Sequence, residues 1–154
     1  MAVSAPRQGI DALLDEVRSG VRRPSAAEAH AAAAEGALLV DIRYAALRER
    51  DGLIPGALIV ERNELEWRLD PQGSHRVAEA TGHGVPVIVV CNEGYASSLA
   101  AESLRRLGLT RATDLDGGFQ AWRAAGLPVR ADGPGRPTPP AVDAAREPDG
   151  SDRG

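Results

Sequence analysis

Residues 85–98 read VPVIVVCNEGYASS, and this stretch decides the fold. Its first six residues are a short, continuous apolar run, which is typical of a strand buried on both faces. Pro86 lies near the strand start, where the missing N–H donor is tolerated. A turn at 91–96 and a helix from Ser97 follow at once. A strand that leads through a tight turn into a helix predicts one unit of a parallel α/β sheet.

The remainder of the chain repeats this alternation of apolar runs and turn signals. Ser25 and Glu28 have the spacing of a capping box, which predicts the start of an Ala-rich helix that Gly36 ends. We expect helices at 10–21, 25–36, 63–69, 97–107 and 119–125, and strands at 37–42, 58–60, 85–90 and 112–115. The predicted fold class is α/β, with a central, mainly parallel sheet and helices on both faces.

Composition excludes several classes of function. The 154 residues carry a net charge of −4, and all 18 basic residues are Arg, so lysine Schiff-base chemistry is excluded. The basic residues are scattered, which argues against a nucleic-acid partner. No apolar run approaches the roughly 18 residues of a membrane span, and no secretory signal is recognisable, so we expect a cytoplasmic protein. The Ala, Gly, Pro and Arg bias is typical of a GC-rich bacterial genome.

Three segments are predicted from these patterns. Residues 1–24 form an N-terminal helical extension, and residues 25–130 form the main domain. Residues 131–154 are dense in Pro, Gly and Asp and have almost no large apolar side chain. Such a segment cannot bury enough apolar surface to offset its ordering entropy, so we expect a disordered tail.

Cys91 is the one cysteine of the chain, which excludes an intramolecular disulfide and a Cys-rich zinc site. It follows the clearest strand, at the edge of the sheet where ligands bind in α/β folds. Gly94 permits a sharp turn whose N–H groups can form an anion-binding nest, and the next helix adds its positive dipole end. Both effects favour a thiolate nucleophile. On this geometry alone, a structural cysteine that ends a core strand is an equal alternative.

Four blocks of sequence, taken together, resemble the rhodanese-like sulfurtransferase family over about residues 25–129. They are LLVDIR at 38–43, GLIPGA at 52–57, CNEGYAS at 91–97 and DGGFQAW at 116–122. The family has Asp-x-Arg in the first block and Gly-His-Ile-Pro-Gly-Ala in the second, where this chain has Leu53 in place of His. Its active-site loop is usually Cys-x-x-Gly-x-Arg-Ser, and its closing element is Gly-Gly-x-x-x-Trp.

The resemblance implies a sulfurtransferase that needs no metal and no cofactor. Cys91 would take a sulfane sulfur from a small-molecule or protein donor, hold it as a persulfide and pass it to a thiol or cyanide. Asp41 and Arg43 would support the site. Apart from the resemblance, Arg62 follows the second strand and should lie at the same edge of the sheet, where it either reaches the donor or forms a surface ion pair. The expected substrate-binding residues of the loop are Asn92, Glu93, Gly94, Tyr95, Ala96 and Ser97. We expect a monomer or weak dimer.

Ala96 departs from the family, since many members have Arg at this position. A guanidinium is a natural clamp for the oxygens of thiosulfate, so its loss should weaken thiosulfate binding by about 1.5–3 kcal/mol. The sequence therefore predicts poor thiosulfate:cyanide turnover and a persulfide as donor.

Two further functions compete with this interpretation. Cell-cycle phosphatases of similar fold need Cys-x5-Arg, but here that position is Ser97 and residues 91–98 contain no Arg. A rhodanese-like module that binds a partner or senses oxidation is the stronger alternative, because Ala96 favours it. We expect the three histidines to be surface residues and Trp67 and Trp122 to serve packing.

Overall fold

The computed structural model describes residues 8–131. The predicted tail lies outside this range except for residue 131, as do residues 1–7 of the predicted extension. The elements in chain order are α1 (Ile10–Arg18), α2 (Ala26–Ala34), β1 (Leu38–Asp41), α3 (Ala45–Asp51), β2 (Leu58–Ile59), a 3-10 turn (Arg62–Glu64), α4 (Leu65–Leu69), β3 (Val87–Val90), α5 (Ala96–Arg106), β4 (Ala112–Asp114) and α6 (Gly118–Ala124).

The four strands form one parallel sheet in the order β2-β1-β3-β4, which confirms the predicted sheet. Asp41 is paired with Val90, the last residue of β3, so the carboxyl ends of β1 and β3 meet at one edge. β4 lies on the other side of β3 and ends there too, with Val89 opposite Asp114. Cys91 therefore emerges between the ends of two neighbouring strands.

Alternate side chains of β3 point to opposite faces of the sheet, and both faces are covered. Val87 and Val89 pack with the buried side chains of α4 and α5. Ile88 and Val90 pack with those of α2 and α6. All four are at most 4% exposed, and burying such a side chain contributes about 1.5–3 kcal/mol. This continuous burial confirms helices on both faces of the sheet.

Most predicted helices are present with shorter ends. The capping box is formed, with the N–H of Glu28 donating to Ser25 Oγ at 3.2 Å and the N–H of Ser25 donating to Glu28 Oε1 at 3.2 Å. Helix α1 ends at Arg18 because the chain turns at Gly20, whose φ is +73°. The longest helix within residues 8–131 has 11 residues, and that part of the chain contains no helix long and apolar enough to cross a bilayer.

Helix α3 was not predicted, because none of its residues is buried and its sequence carries no apolar periodicity. The packing prediction is correct for Trp122, which is 1% exposed and donates its indole N–H to the carbonyl of Pro128 at 2.8 Å. It is wrong for Trp67, which is 60% exposed. Helix α4 buries Leu65 and Leu69 on one face, and Trp67 lies between them on the other.

The three histidines differ in their surroundings. His75 is exposed and His83 is half-buried. His30 is also exposed, but its ring lies edge-on against Trp122, with 5.4 Å between the ring centroids. The prediction of surface histidines therefore misses one packing contact.

Candidate active site

The sulfur of Cys91 lies inside the turn that joins β3 to α5. The N–H of Gly94 donates to Sγ at 3.1 Å, and the N–H of Ser97 donates to it at 3.4 Å. The thiol itself donates to Ser97 Oγ at 3.2 Å. Cys91 is 8% exposed, so these contacts form largely out of water. Converging N–H donors at the first turn of a helix favour negative charge on the sulfur.

Two carbonyl groups of the same turn, those of Cys91 and Asn92, point towards α6. The N–H of Phe119 donates to the carbonyl of Cys91 at 2.8 Å, and the N–H of Gln120 donates to that of Asn92 at 3.1 Å. In a trans peptide the N–H points opposite to the carbonyl. The first turn of α6 therefore helps to orient the peptide groups around the sulfur.

Two glycines allow this close approach of α6 to the turn. Gly94 has a φ of +88°, and a Cβ there would lie 2.8 Å from the backbone nitrogen of Gly117. Gly118 has a φ of +60°, and its Cβ would lie 2.6 Å from the carbonyl oxygen of Cys91. A side chain at either position would combine a strained backbone with a steric clash. Gly118 of the Gly-Gly pair thus serves the Cys91 turn, whereas a Cβ at Gly117 would meet Ala121 of α6 instead.

A cavity of about 370 Å³ opens in front of Cys91. This volume is in the range of small-molecule sites. The lining residues are Ile42, Arg43, Tyr44, Leu47, Arg62, Cys91, Asn92, Glu93, Tyr95 and Ala96. The structure thus brings together most of the predicted site residues, while Gly94 and Ser97 are buried and donate to Sγ from the turn. Tyr44 and Leu47 come from the region of the unpredicted α3.

Arg43 is fully buried beside Asp41 and has several partners. Its Nη2 donates to Asp41 Oδ2 at 2.8 Å and to the carbonyl of Gly52 at 2.8 Å. Its guanidinium carbon lies 3.7 Å from the ring centre of Phe119, a cation–π contact. Asp41 Oδ1 also accepts the backbone N–H of Arg43 at 2.9 Å. This pair fixes the wall of the cavity between β1 and α6.

Arg62 lines the cavity, but a carboxylate offsets its charge. Its Nη1 donates to both oxygens of Glu66, at 2.8 and 3.0 Å. Burial raises the pKa of Glu66, but hydrogen bonds from Ser103 and Arg62 outweigh this effect and leave the pKa below its ordinary value. Glu66 therefore stays ionised at neutral pH and holds Arg62.

A buried carboxylate behind the turn was not among the predicted site residues. Asp114 is 2% exposed, and its Oδ2 accepts the hydroxyl of Ser97 at 2.7 Å and that of Ser98 at 3.0 Å. A chain of hydrogen bonds thus runs from the Cys91 thiol through Ser97 to Asp114. The sequence signal that could have identified Asp114 is its position near the carboxyl end of a predicted strand.

Two arginines of the N-terminal extension, Arg18 and Arg23, also contact the Cys91 turn on the side of Asp114. Neither was predicted as a site residue. Arg23 donates from Nε and Nη2 to the two oxygens of Asp114, each at 3.0 Å, and from Nη2 to the carbonyl of Gly94 at 2.8 Å. Arg18 donates from Nη2 to the same carbonyl at 2.7 Å and from Nε to Ser98 Oγ at 2.9 Å. Sequence patterns carry no signal for contacts of this kind across 70 to 90 residues.

Comparison with known proteins agrees with this geometry. The model of the rhodanese-like domain matches residues 25–125. The chain belongs to the rhodanese-like domain family. The match includes β1 to β4 and the Cys91 turn, and it leaves α1, Arg18 and Arg23 outside its limits.

Curated proteins similar to this chain include bacterial thiosulfate sulfurtransferases. The chain is 34% identical over 113 residues to thiosulfate sulfurtransferase GlpE of Pseudomonas entomophila, a match that covers 69% of this chain and 88% of the relative. It is 35% identical over 65 residues to GlpE of Vibrio cholerae, which covers 42% of this chain. The chain spans 61% of the length of that relative.

Solved structures extend the likeness. A protein of unknown function from Rhodopseudomonas palustris, described as a possible tyrosine phosphatase, is 35% identical with a TM-score of 0.72. That match covers 84% of this chain and 99% of the other. A rhodanese-related protein from Thermoplasma volcanium has the same fold, at 24% identity and a TM-score of 0.57, over 71% of this chain and 98% of its own.

Proposed function

We propose that the protein is a sulfurtransferase in which Cys91 carries the transferred sulfur as a persulfide. The observation that supports this most directly is the position of Sγ, which receives N–H groups from Gly94 at 3.1 Å and Ser97 at 3.4 Å and faces the cavity. A persulfide is anionic and one atom longer than a thiolate. The turn supplies donors for the charge, and the cavity supplies room for the added atom and its donor.

The reaction consists of two displacements at sulfur, and neither needs an external oxidant or reductant. In the first, the Cys91 thiolate attacks the outer sulfur of a donor R–S–SH; a new S–S bond forms, the old one breaks and the thiolate RS⁻ leaves. In the second, an acceptor thiolate attacks the outer sulfur of the Cys91 persulfide. Its product is the acceptor persulfide, and the Cys91 thiolate is restored. With cyanide as acceptor, the product is thiocyanate.

The proposed donor is an organic or protein persulfide rather than thiosulfate. Thiosulfate is a dianion, and its sulfonate oxygens need positive charge. Ala96 supplies none, Arg62 is held by Glu66, and Arg43 is buried beside Asp41. Apolar and aromatic side chains, Ile42, Leu47, Tyr44 and Tyr95, contribute much of the wall. Such a wall suits the carbon body of an organic donor.

Phosphatase chemistry has less support in this site. A transferring phosphoryl group needs positive charge that faces its oxygens. Residues 91–98 contain no Arg, and the two guanidinium groups behind the turn, from Arg18 and Arg23, bond to the carbonyl of Gly94. We therefore do not extend the description of the Rhodopseudomonas protein as a possible tyrosine phosphatase to this chain.

Intact-mass spectrometry after exposure to glutathione persulfide tests the proposal. We expect a gain of about 32 Da, the mass of one sulfur atom, which an added thiol removes. Cys91→Ser is the control and should gain nothing. If the wild-type protein gains no sulfur from either this donor or thiosulfate, the transfer proposal is wrong and the binding or redox-sensing module becomes the better interpretation.

A gain-of-function variant tests the donor preference. Ala96→Arg should raise kcat/KM for thiosulfate by about 10- to 100-fold, the equivalent of about 1.5–3 kcal/mol. Ala96→Leu adds bulk without charge and serves as the matched control. A wild-type kcat/KM for thiosulfate above about 10⁴ M⁻¹s⁻¹, the low end of ordinary enzymes, would rule out the preference.

A further inference from the structure

The N-terminal segment, defined here as residues 8–24, is docked against the domain behind the Cys91 turn. Leu14 of α1 is 5% exposed, and α1 packs on α5. Arg105 of α5 donates to the carbonyl of Val17 at 3.2 Å. Further along, Thr113 Oγ1 donates to the carbonyl of Arg22 at 3.0 Å, and the N–H of Asp116 donates to that of Pro24 at 3.0 Å. These contacts fix the segment along α5 and the end of β4.

Two guanidinium groups of this segment converge on a single peptide carbonyl. Gly94 O accepts from Arg18 Nη2 at 2.7 Å and from Arg23 Nη2 at 2.8 Å. Arg23 is held in turn by the carboxylate of Asp114. Burial lowers the pKa of Arg23, but its hydrogen bond and ion pair with Asp114, with smaller contributions from Asp116 and the Cys91 sulfur, raise the pKa above its ordinary value. Arg23 is thus a fixed positive charge against the backbone of the Cys91 turn.

The two hydrogen bonds to the Gly94 carbonyl also affect the N–H of Tyr95, which belongs to the same peptide group. The peptide from Gly94 to Tyr95 is trans, so the N–H of Tyr95 points away from the two arginines. Charged donors on the carbonyl also polarise the peptide and strengthen that N–H as a donor. Gly94 has a φ of +88° and no side chain, and these bonds add to the contact of its N–H with Cys91 Sγ in fixing its two peptide groups.

We propose that Arg18 and Arg23 are positioning residues of the active site, which fix the Gly94 carbonyl and hold positive charge behind the Cys91 turn, on the side away from the cavity. Their effect on sulfur transfer rests on the function proposed above. Their effect on the reactivity of Cys91 does not, because thiol alkylation needs no sulfur donor. The N-terminal segment is on this view part of the catalytic unit, although it lies outside the family match.

The test compares three arginine variants of the full chain. Arg18→Met keeps an unbranched side chain as far as the position of Nε and removes the bonds to Gly94 and Ser98. Arg22→Met is the matched control, because Arg22 belongs to the same segment, is 83% exposed and pairs with Glu28 on the surface. Arg23→Met is the third variant and leaves Asp114 without its main partner, so its unfolding midpoint in urea is measured alongside. The first measurement is the rate of Cys91 alkylation by iodoacetamide, an uncharged reagent, at pH 7.

The sign of the change separates positioning from mere loosening of the fold. If the arginines stabilise the thiolate, Arg18→Met and Arg23→Met should alkylate about three- to tenfold more slowly than Arg22→Met, because the thiolate is the reacting species. If they only hold the fold together, their loss should expose the buried thiol and speed alkylation. Rates for Arg18→Met that are faster than the control, or within twofold of it, would overturn the proposal. Arg18→Met leaves the ion pair between Arg23 and Asp114 in place, so this variant decides the case if Arg23→Met unfolds.

Single-turnover loading of sulfur from glutathione persulfide is the second measurement. We expect Arg18→Met to reduce the loading rate at saturating donor by about three- to tenfold and to leave the donor concentration at half-saturation within twofold. Arg18→Lys, which keeps the charge, should recover part of the loss. If the wild-type chain takes up no sulfur but alkylation still depends on Arg18, the function proposed above fails and the positioning role stands.

Discussion

Two buried ion pairs stand at the carboxyl edge of the sheet, one on either side of Cys91 in strand order. Asp41 and Arg43 lie at the end of β1, and both side chains are at most 1% exposed. Asp114 and Arg23 lie beyond β3, at the end of β4, and their side chains are 3% and 15% exposed. The first pair is two residues apart in sequence and the second is 91 residues apart.

The two pairs share their chemistry but not their contacts. Arg43 bonds to the carbonyl of Gly52 and lies over Phe119, so the first pair joins pieces of the scaffold. Asp114 accepts from the hydroxyl of Ser97, and Arg23 donates to the carbonyl of Gly94, so the second pair touches the turn that holds the sulfur. An Asp–Arg pair thus acts on the framework or on the site according to which peptide groups it reaches.

The largest effect should come from breaking the scaffold pair. Arg43→Ala leaves the carboxylate of Asp41 buried and unpaired and should lower the free energy of unfolding by about 3–5 kcal/mol. Urea unfolding followed by circular dichroism measures it. A loss below about 1 kcal/mol would mean that Asp41 finds other partners, and the contrast between the two pairs would disappear.

A double-mutant cycle on the second pair should give the next largest effect. Asp114→Asn and Arg23→Met, alone and combined, should show a coupling energy of about 1–3 kcal/mol in the free energy of unfolding. The reason is that the two side chains share a two-pronged, partly buried contact at 3.0 Å. Additivity within about 0.5 kcal/mol would show that the pair contributes little and that Asp114 is held by the serines.

A smaller effect is expected at Ser25, next to the second pair in sequence. Ser25→Ala removes the hydroxyl that accepts the N–H of Glu28 and should cost about 1 kcal/mol of stability, whereas Ser25→Gly should cost only a few tenths. Because the hydrogen bonds of Ser25 within residues 8–131 are to Glu28 and Ala29 of α2, the rate of Cys91 alkylation should stay within twofold of wild type. A larger change in that rate would mean that docking of the whole segment, not the arginines, sets reactivity.

The smallest effect concerns the ion-pair cluster of Asp51 with the exposed side chains of Arg50 and Arg123, and it depends on pH. Hydrogen bonds from Arg50 and Gln120, with the charges of Arg50 and Arg123, lower the pKa of Asp51 from its ordinary value of 3.8 to about 2. A folded-state pKa below the unfolded value adds stability above about pH 4, which is lost as the pH falls towards 2. Asp51→Asn should therefore flatten the decline of the urea midpoint between pH 4 and 2. Parallel wild-type and variant curves in that range would contradict the assignment.

The sequence by itself determined the sheet, the position of Cys91 and the family. Continuous apolar runs such as 85–90 report strands buried on both faces, and the turn after Val90 places Cys91 at the binding edge of the sheet. The four sequence blocks identified the rhodanese-like family, and its motif named Asp41 with Arg43. These signals are local, since each depends on residues within one element or one turn. The same local reasoning missed α3, which buries no residue and shows no apolar period.

Only the tertiary structure decided which side chains contact the Cys91 turn on the side away from the cavity, and which charges line the cavity itself. Arg18 and Arg23 reach Gly94 across 76 and 71 residues, and Ser97 meets Asp114 across 17. Arg62 lies at the cavity as expected, but its pairing with Glu66 determines how much of its charge a ligand meets. Such contacts depend on how helices dock on the sheet, and the hydrophobic pattern fixes which face of a helix is buried without fixing which polar groups meet there.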